Sequence, residues 1–146
     1  MSMEESNDIY SKEKRSELMS KVRSKNTKPE LIVRSRLHKL GFRYRLHRKD
    51  IPGCPDITLP KYKTVIFVHG CFWHQHPGCK KATIPKNNHD FWLLKLEENI
   101  ERDRKHVSQL IELGWNVIIV WECDIKKDVG TVLETIISQI NRPCIN

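Results

Sequence analysis

Two cysteines, three histidines and two large aromatics fall within the eleven residues from His69 to Cys79, directly behind the apolar run Val65-Ile66-Phe67-Val68. Cys71, His76 and Cys79 are separated by four and two intervening residues. That spacing lets one loop fold thiolate and imidazole donors around a zinc ion, which takes four such ligands in a closed structural site. Cys123, at the end of a second apolar run, is the expected fourth ligand. His69 and His74 are left over, and surplus imidazole beside a structural metal points to chemistry as well as folding. A Cys71–Cys79 disulfide is the competing use of the loop, but it belongs to an oxidising compartment. Residues 1–10 are polar and acidic, without the apolar stretch of a secretory leader. With five cysteines in all, Cys54 and Cys144 are expected as free thiols.

A chain of 146 residues with 38% hydrophobic content is expected to form one domain over residues 1–146, with a core of ordinary size. No apolar stretch reaches the length of a membrane span, so a cytoplasmic protein is expected. The net charge of +8 is unevenly distributed. Residues 1–49 hold 14 Lys/Arg against 6 Asp/Glu, whereas residues 50–146 hold 12 of each. Concentrated positive charge, as in Arg43-Tyr44-Arg45-Leu46-His47-Arg48-Lys49, is the footprint of a phosphate-backbone partner. A solvated basic face is the plainer reading. A membrane surface fits less well, because the basic segments lack a strong aromatic or leucine face.

The elements that must position these residues follow from periodicity and punctuation. Residues 1–10 read as a flexible arm and residues 11–140 as the core, opening with a basic helix over 12–23. Thr27-Lys28-Pro29-Glu30 has the pattern of a capping box, and Val33, Leu37 and Leu40 continue at helical spacing until Gly41. Phe42, Tyr44 and Leu46 alternate with Arg43, Arg45 and His47 as in a half-buried strand. Strands are predicted over 56–59 and 64–68, the second buried on both faces, with a turn over 60–63. Asn88 is positioned to cap a long helix over 89–113, with Trp92, Leu96, Ile100, Val107, Leu110 and Ile111 on its buried stripe. A strand over 115–121 and a helix over 131–140 complete the chain, with Trp115 and Trp121 assigned to the core. The order α-α-β-β-β-α-β-α predicts a mixed sheet flanked by helices on both sides.

A hairpin centred near Tyr62 sets Asp56 opposite Val68 and His69, at the mouth of the Cys/His loop. A carboxylate and imidazoles converging where a strand ends can hold a hard cation and activate water, although an aspartate after Pro55 also suits a turn. Phe72 and Trp73 are awkward to bury in a polar loop, and exposed aromatics beside basic charge suit base stacking.

At Pro52-Gly53-Cys54-Pro55-Asp56, Val65 to His74, Phe91-Trp92-Leu93, Asn99-Ile100-Glu101-Arg102-Asp103 and Leu113 to Cys123, the chain resembles the very-short-patch repair (Vsr) endonucleases, which nick DNA beside a T:G mismatch. The likeness runs from about Ser11 to Ile140. It implies a restriction-endonuclease-like variant of the mixed sheet, with a structural zinc site. It implies that Asp56 binds catalytic magnesium with the main-chain carbonyl of Val68. His74 would be the general base, His69 would contact the scissile phosphate or water around the metal, and Glu30 would support them. The same resemblance gives Cys71, His76, Cys79 and Cys123 as zinc ligands and Phe72, Trp73 and Trp92 as aromatics that wedge into the duplex. It implies a T:G substrate arising from deaminated 5-methylcytosine, nicked 5′ of the mispaired thymine. A bacterial setting, functional association with the nucleoid and with a cytosine-5 DNA methyltransferase, and a monomeric enzyme are further expectations.

Three departures stand out. The family commonly has Thr at the position of Val68, which removes a hydroxyl but keeps the carbonyl. One residue is inserted between His76 and Cys79 relative to some members. The strand over 64–68 lacks the acidic and lysine residues of most restriction-type nucleases. Two other functions compete: a non-catalytic zinc-containing DNA-binding module, which has no use for Asp56, His69 or His74, and a catalytic zinc hydrolase, which Cys123 disfavours by closing the metal shell.

Overall fold

The computed structural model describes residues 27–140, so the arm and the helix expected over 12–23 lie outside the described residues. Helix α1 spans Lys28–Lys39, β1 Arg45–Leu46, β2 Ile57–Leu59, β3 Thr64–His69, α2 His89–Glu112, β4 Asn116–Trp121 and α3 Glu122–Ile140. The sheet runs β1-β2-β3-β4. Its first two pairings are antiparallel and β3–β4 is parallel, with His69 opposite Trp121.

Both faces of the sheet are covered, as the element order predicts. Ile57, Leu59, Ile66, Ile118 and Val120 meet Val33 and Leu37 of α1 and Ile125, Val132, Leu133, Ile136 and Ile140 of α3. On the other face, Val65 and Phe67 pack with Leu110 of α2. Strand β3 supplies both cores because successive side chains point to opposite faces. His69 shares the face of Val65 and Phe67, beneath α2.

Several expectations need correction. Pro60–Tyr62 forms a 3-10 turn and Lys63 turns back in the left-handed region (φ 51). This pairs Ile57 with Ile66 and Leu59 with Thr64, so Asp56 lies two positions short of the register expected from a turn centred at Tyr62. A shift of two preserves the face, and the carboxylate still reaches Val68. The alternation over 42–46 yields only a two-residue strand, although Phe42 and Tyr44 pack against the core.

Asn88 precedes α2 but makes no side-chain cap, because its left-handed backbone (φ 57) departs from the extended conformation that capping uses. Along α2 the buried residues are Leu96, Asn99 and Leu110, while Ile100 and Ile111 are exposed. Helix α3 begins directly after β4 and kinks at Asp128 (φ −161, ψ 89). The Asp128 carboxylate accepts from the Thr131 N–H and hydroxyl, which restarts the helix near the predicted position 131.

Candidate functional site

Strands β3 and β4 end side by side at His69 and Trp121, so the chain leaving each strand supplies donors to the same edge of the sheet. After β3 the loop turns tightly, with the His76 N–H bonded to the Cys71 carbonyl at 3.0 Å and the Cys79 N–H to the His76 carbonyl at 3.1 Å. After β4, Glu122 Oε1 accepts from the Cys71 N–H at 3.0 Å and pins the loop to the start of α3. Donor atoms of Cys71, His76, Cys79 and Cys123 consequently lie within 4.8 Å of one another. His76 turns Nδ1 inward, 3.3 Å from Cys123 Sγ and 3.7 Å from Cys71 Sγ. None of the four described cysteines is bridged. Burial pushes the Cys71 thiol up to about 12, and a cation would be needed to hold it as a thiolate beside two other sulfurs. Three sulfurs and one nitrogen fit a tetrahedral, borderline-soft ion.

The second set of donors lines a cleft of about 670 Å³ bounded by Glu30, His47, Gly53, Asp56, residues 67–70, 72–74, Asp103 and His106. Asp56 Oδ2 accepts from the Val68 N–H at 2.8 Å, tying the loop before β2 to the end of β3. The N–H and C=O of one strand residue face the same edge, so the Val68 carbonyl is directed to the Asp56 side. Gly53 permits this approach. Its φ is +78, and a Cβ there would stand 3.0 Å from the His106 Cβ and 3.1 Å from the Phe67 ring. His69 and His74 stack at 3.7 Å with a 6° interplanar angle, and His74 Nδ1 lies 2.5 Å from Asp103 Oδ2. Asp103 thereby fixes the ring and leaves Nε2 of His74 as its basic nitrogen.

Burial dominates the electrostatics of this cleft. It pushes the Asp56 carboxyl up to about 7, against the Val68 hydrogen bond and with further help from Glu30. Burial and the neighbouring His74 push His69 down to about 3, so His69 is a neutral imidazole at neutral pH. Its Nδ1 is buried without a hydrogen-bond partner among the described residues. A carboxylate held near neutrality and an orphaned imidazole nitrogen fit a site that receives a cation or a phosphate.

Glu30 is 1% exposed. The Thr27 hydroxyl caps its N–H at 3.4 Å, while its carboxylate meets Arg34 Nη1 at 3.0 Å and His47 Nε2 at 2.8 Å. The cap and the cleft thus use different atoms of one residue. Phe72, Trp73 and Trp92 form a ring cluster with centroid separations of 5.1, 5.5 and 5.9 Å, next to the cleft and half-buried. Trp121 is half-buried, stacking on His76 at 4.2 Å and meeting His69 edge-on at 5.1 Å, so it belongs to the wall between the two donor sets.

Sequence reasoning missed Asp103, His47, His106 and Glu122. Asp103 had a signal: with Asn99 it interrupts the apolar stripe of α2, and polar residues on a buried stripe mark a site. His47 and Glu122 had none, because a left-handed turn and the parallel strand pairing bring them in.

By fold and site, the chain is a mixed α/β protein carrying one closed thiol-imidazole donor set and one open carboxylate-imidazole donor set. Residues 7–81 match the family described as DNA mismatch endonuclease Vsr. Type II nicking enzyme V.NmeAIP of Neisseria meningitidis is 54% identical over 119 residues, covering 82% of this chain and 84% of its own length. Type II nicking enzyme V.XorIIP of Xanthomonas oryzae pv. oryzae is 50% identical over 125 residues, covering 86% and 90%. The DNA mismatch endonuclease Vsr of Escherichia coli is 41% identical over 119 residues, covering 82% and 76%. The chain belongs to the DNA mismatch endonuclease Vsr family. No helix among the described residues is long and apolar enough to cross a membrane.

Proposed function

We propose that this protein nicks one strand of double-stranded DNA 5′ of the mispaired thymine at T:G mismatches left by deaminated 5-methylcytosine. The observation that carries the reading is the stacked His69–His74 pair, with Asp103 bonded to His74, lining the same cleft as Asp56 beside a cluster of half-buried aromatics. Asp56 and the Val68 carbonyl would hold magnesium, and Cys71, His76, Cys79 and Cys123 would hold zinc. The magnesium would supply positive charge to the scissile phosphate.

The chain's own groups do the rest. His74 accepts a proton from the attacking water at Nε2, with Asp103 stabilising the imidazolium that results. His69, neutral and buried, donates to the phosphate from one ring nitrogen. Glu30 orders the Asp56 side of the cleft. Phe72, Trp73 and Trp92 present ring faces that can enter a weakly stacked step, where unstacking costs less than in matched duplex. Basic residues such as the exposed Arg43, Arg45 and Lys49 supply backbone affinity. A restriction-endonuclease-like core, a monomeric enzyme, a cytoplasmic location and a functional link to a cytosine-5 methyltransferase complete the reading.

The test is a nicking assay on labelled T:G, matched and otherwise mismatched duplexes, with and without magnesium. Single-strand cleavage confined to T:G and dependent on magnesium is expected. Tight binding without cleavage of any duplex would leave a zinc-containing DNA-binding module instead.

A further inference from the structure

His47 has no part in the reading above, yet its side chain occupies the cleft. Its backbone sits in the left-handed region (φ 49), which a non-glycine residue rarely adopts, and its N–H is tied to the Asp56 carbonyl at 3.2 Å. Such outliers persist where the surrounding structure over-determines them, and they cluster at binding sites. The strained turn delivers the imidazole to Glu30 and Asp56, and one donor atom from each of the three residues lies within 4.8 Å of the others.

The geometry of the contact decides what the imidazole is for. Nε2 of His47 is sealed from solvent and lies 2.8 Å from Glu30 Oε2, yet it makes no hydrogen bond among the described residues. Two donors that share no proton but stand about 3 Å apart match neighbouring corners of an octahedral shell with ligands at about 2.1 Å. Arg34 already donates to the same Glu30 oxygen at 3.0 Å, so the carboxylate has a cationic anchor that does not depend on His47.

We infer that His47 is a direct ligand, with Asp56 and Glu30, of the divalent cation in this cleft, and that it gives the site a preference for manganese over magnesium. An all-oxygen site suits magnesium, whereas an imidazole nitrogen favours first-row transition ions. The inference rests on the reading that Asp56 is the cation's carboxylate, and it can fail separately from that reading.

The experiment titrates the full-length, zinc-containing protein with Mn2+ and with Mg2+ by calorimetry, and records pulsed EPR spectra of the Mn2+ form for nitrogen coupling. Wild type, His47→Ala, His47→Gln, His69→Ala and Asp56→Asn are compared. The inference expects His47→Ala and His47→Gln to lower Mn2+ affinity at least about tenfold, with a smaller loss for Mg2+. It also expects a nitrogen coupling that survives in His69→Ala and disappears in both His47 variants. The wild-type spectrum needs no variant to fold, so a wild-type Mn2+ signal without nitrogen coupling overturns the inference. Unchanged Mn2+ affinity in His47→Ala overturns it too. If Asp56→Asn still abolishes binding in that case, the cation reading stands and only the role of His47 falls. If Asp56→Asn binds Mn2+ as wild type does, both fall.

Discussion

The two donor sets both touch Trp121, one through His76 and the other through His69, and are built on opposite plans. The Cys71, His76, Cys79 and Cys123 set is rich in sulfur and drawn from the ends of two neighbouring strands, and none of its residues lines the cleft. The set around Asp56, His69, His74 and Asp103 is made of oxygen and nitrogen and opens onto 670 Å³ of accessible space. Four inward-facing donors leave a metal no position for a reactant, which is what a structural centre needs. Donors along one wall of a cleft leave positions free for water and phosphate. The comparison teaches that the cation's task is set by donor softness and access together, even for sets that share one sheet edge.

The sharpest way to break this contrast is to remove a sulfur. If this set holds zinc as proposed, Cys123→Ser should release it and cost at least about 5 kcal/mol, because binding energy at a structural site is folding energy. Elemental analysis and thermal unfolding check this, and a variant with normal stability and no zinc would put the centre outside the folding unit. Next in size are changes on the cleft side. His74→Ala should slow nicking by about 10³-fold, and Asp103→Asn by about 10²-fold, with zinc content intact and T:G duplex affinity within about tenfold. Single-turnover kinetics and filter binding separate the two effects.

A smaller effect has the opposite sign. Because the Asp56 carboxyl is raised to about 7 from an unfolded value near 3.9, the native state keeps a proton that the unfolded chain has released between those values. Stability of the protein without a cation in the cleft therefore falls as pH rises through that window and stays reduced above it. Asp56→Asn should abolish nicking yet raise stability at pH 8 by about 1–3 kcal/mol, with little gain at pH 4. Denaturant melts at the two pH values decide it, and an equal gain at both would sink the electrostatic explanation. The smallest change is in selectivity. Trp73→Ala should cost about 1–2 kcal/mol of affinity for T:G duplex and less for matched duplex. Equal losses on both would make the ring cluster a packing feature.

Much of this contrast is legible in the sequence, for a local reason. Cys71, His76 and Cys79 lie in one loop, and their spacing carries the geometry. The apolar runs over 64–68 and 115–121 are recognisable because both are continuous and rich in β-branched residues, although only the first is buried on both faces and Ile119 of the second is exposed. Asp56 is found through hairpin parity, which survives the shift in register caused by the 3-10 turn at Pro60–Tyr62. The remaining partners depend on long-range packing. His47 reaches the cleft through a left-handed turn, and Asp103 through the rotation of α2, which buries Asn99 and exposes Ile100. Trp121 looks like core because its apolar strand hides the fact that its two ring neighbours are histidines.

The parallel pairing of β3 with β4 also sets a timetable. Cys123 lies 47 residues beyond His76, and a ribosome adding about 5–20 residues per second needs roughly 2–10 s to deliver it. Throughout that interval the growing chain carries Asp56, His69 and His74 around the end of β3, a strand whose β4 edge is unpaired. The fourth donor of the sulfur centre, and the Glu122 carboxylate that pins the loop, have yet to be made. The cleft is therefore completed only once residue 122 has emerged, and until then the growing chain lacks part of the lining of its own site.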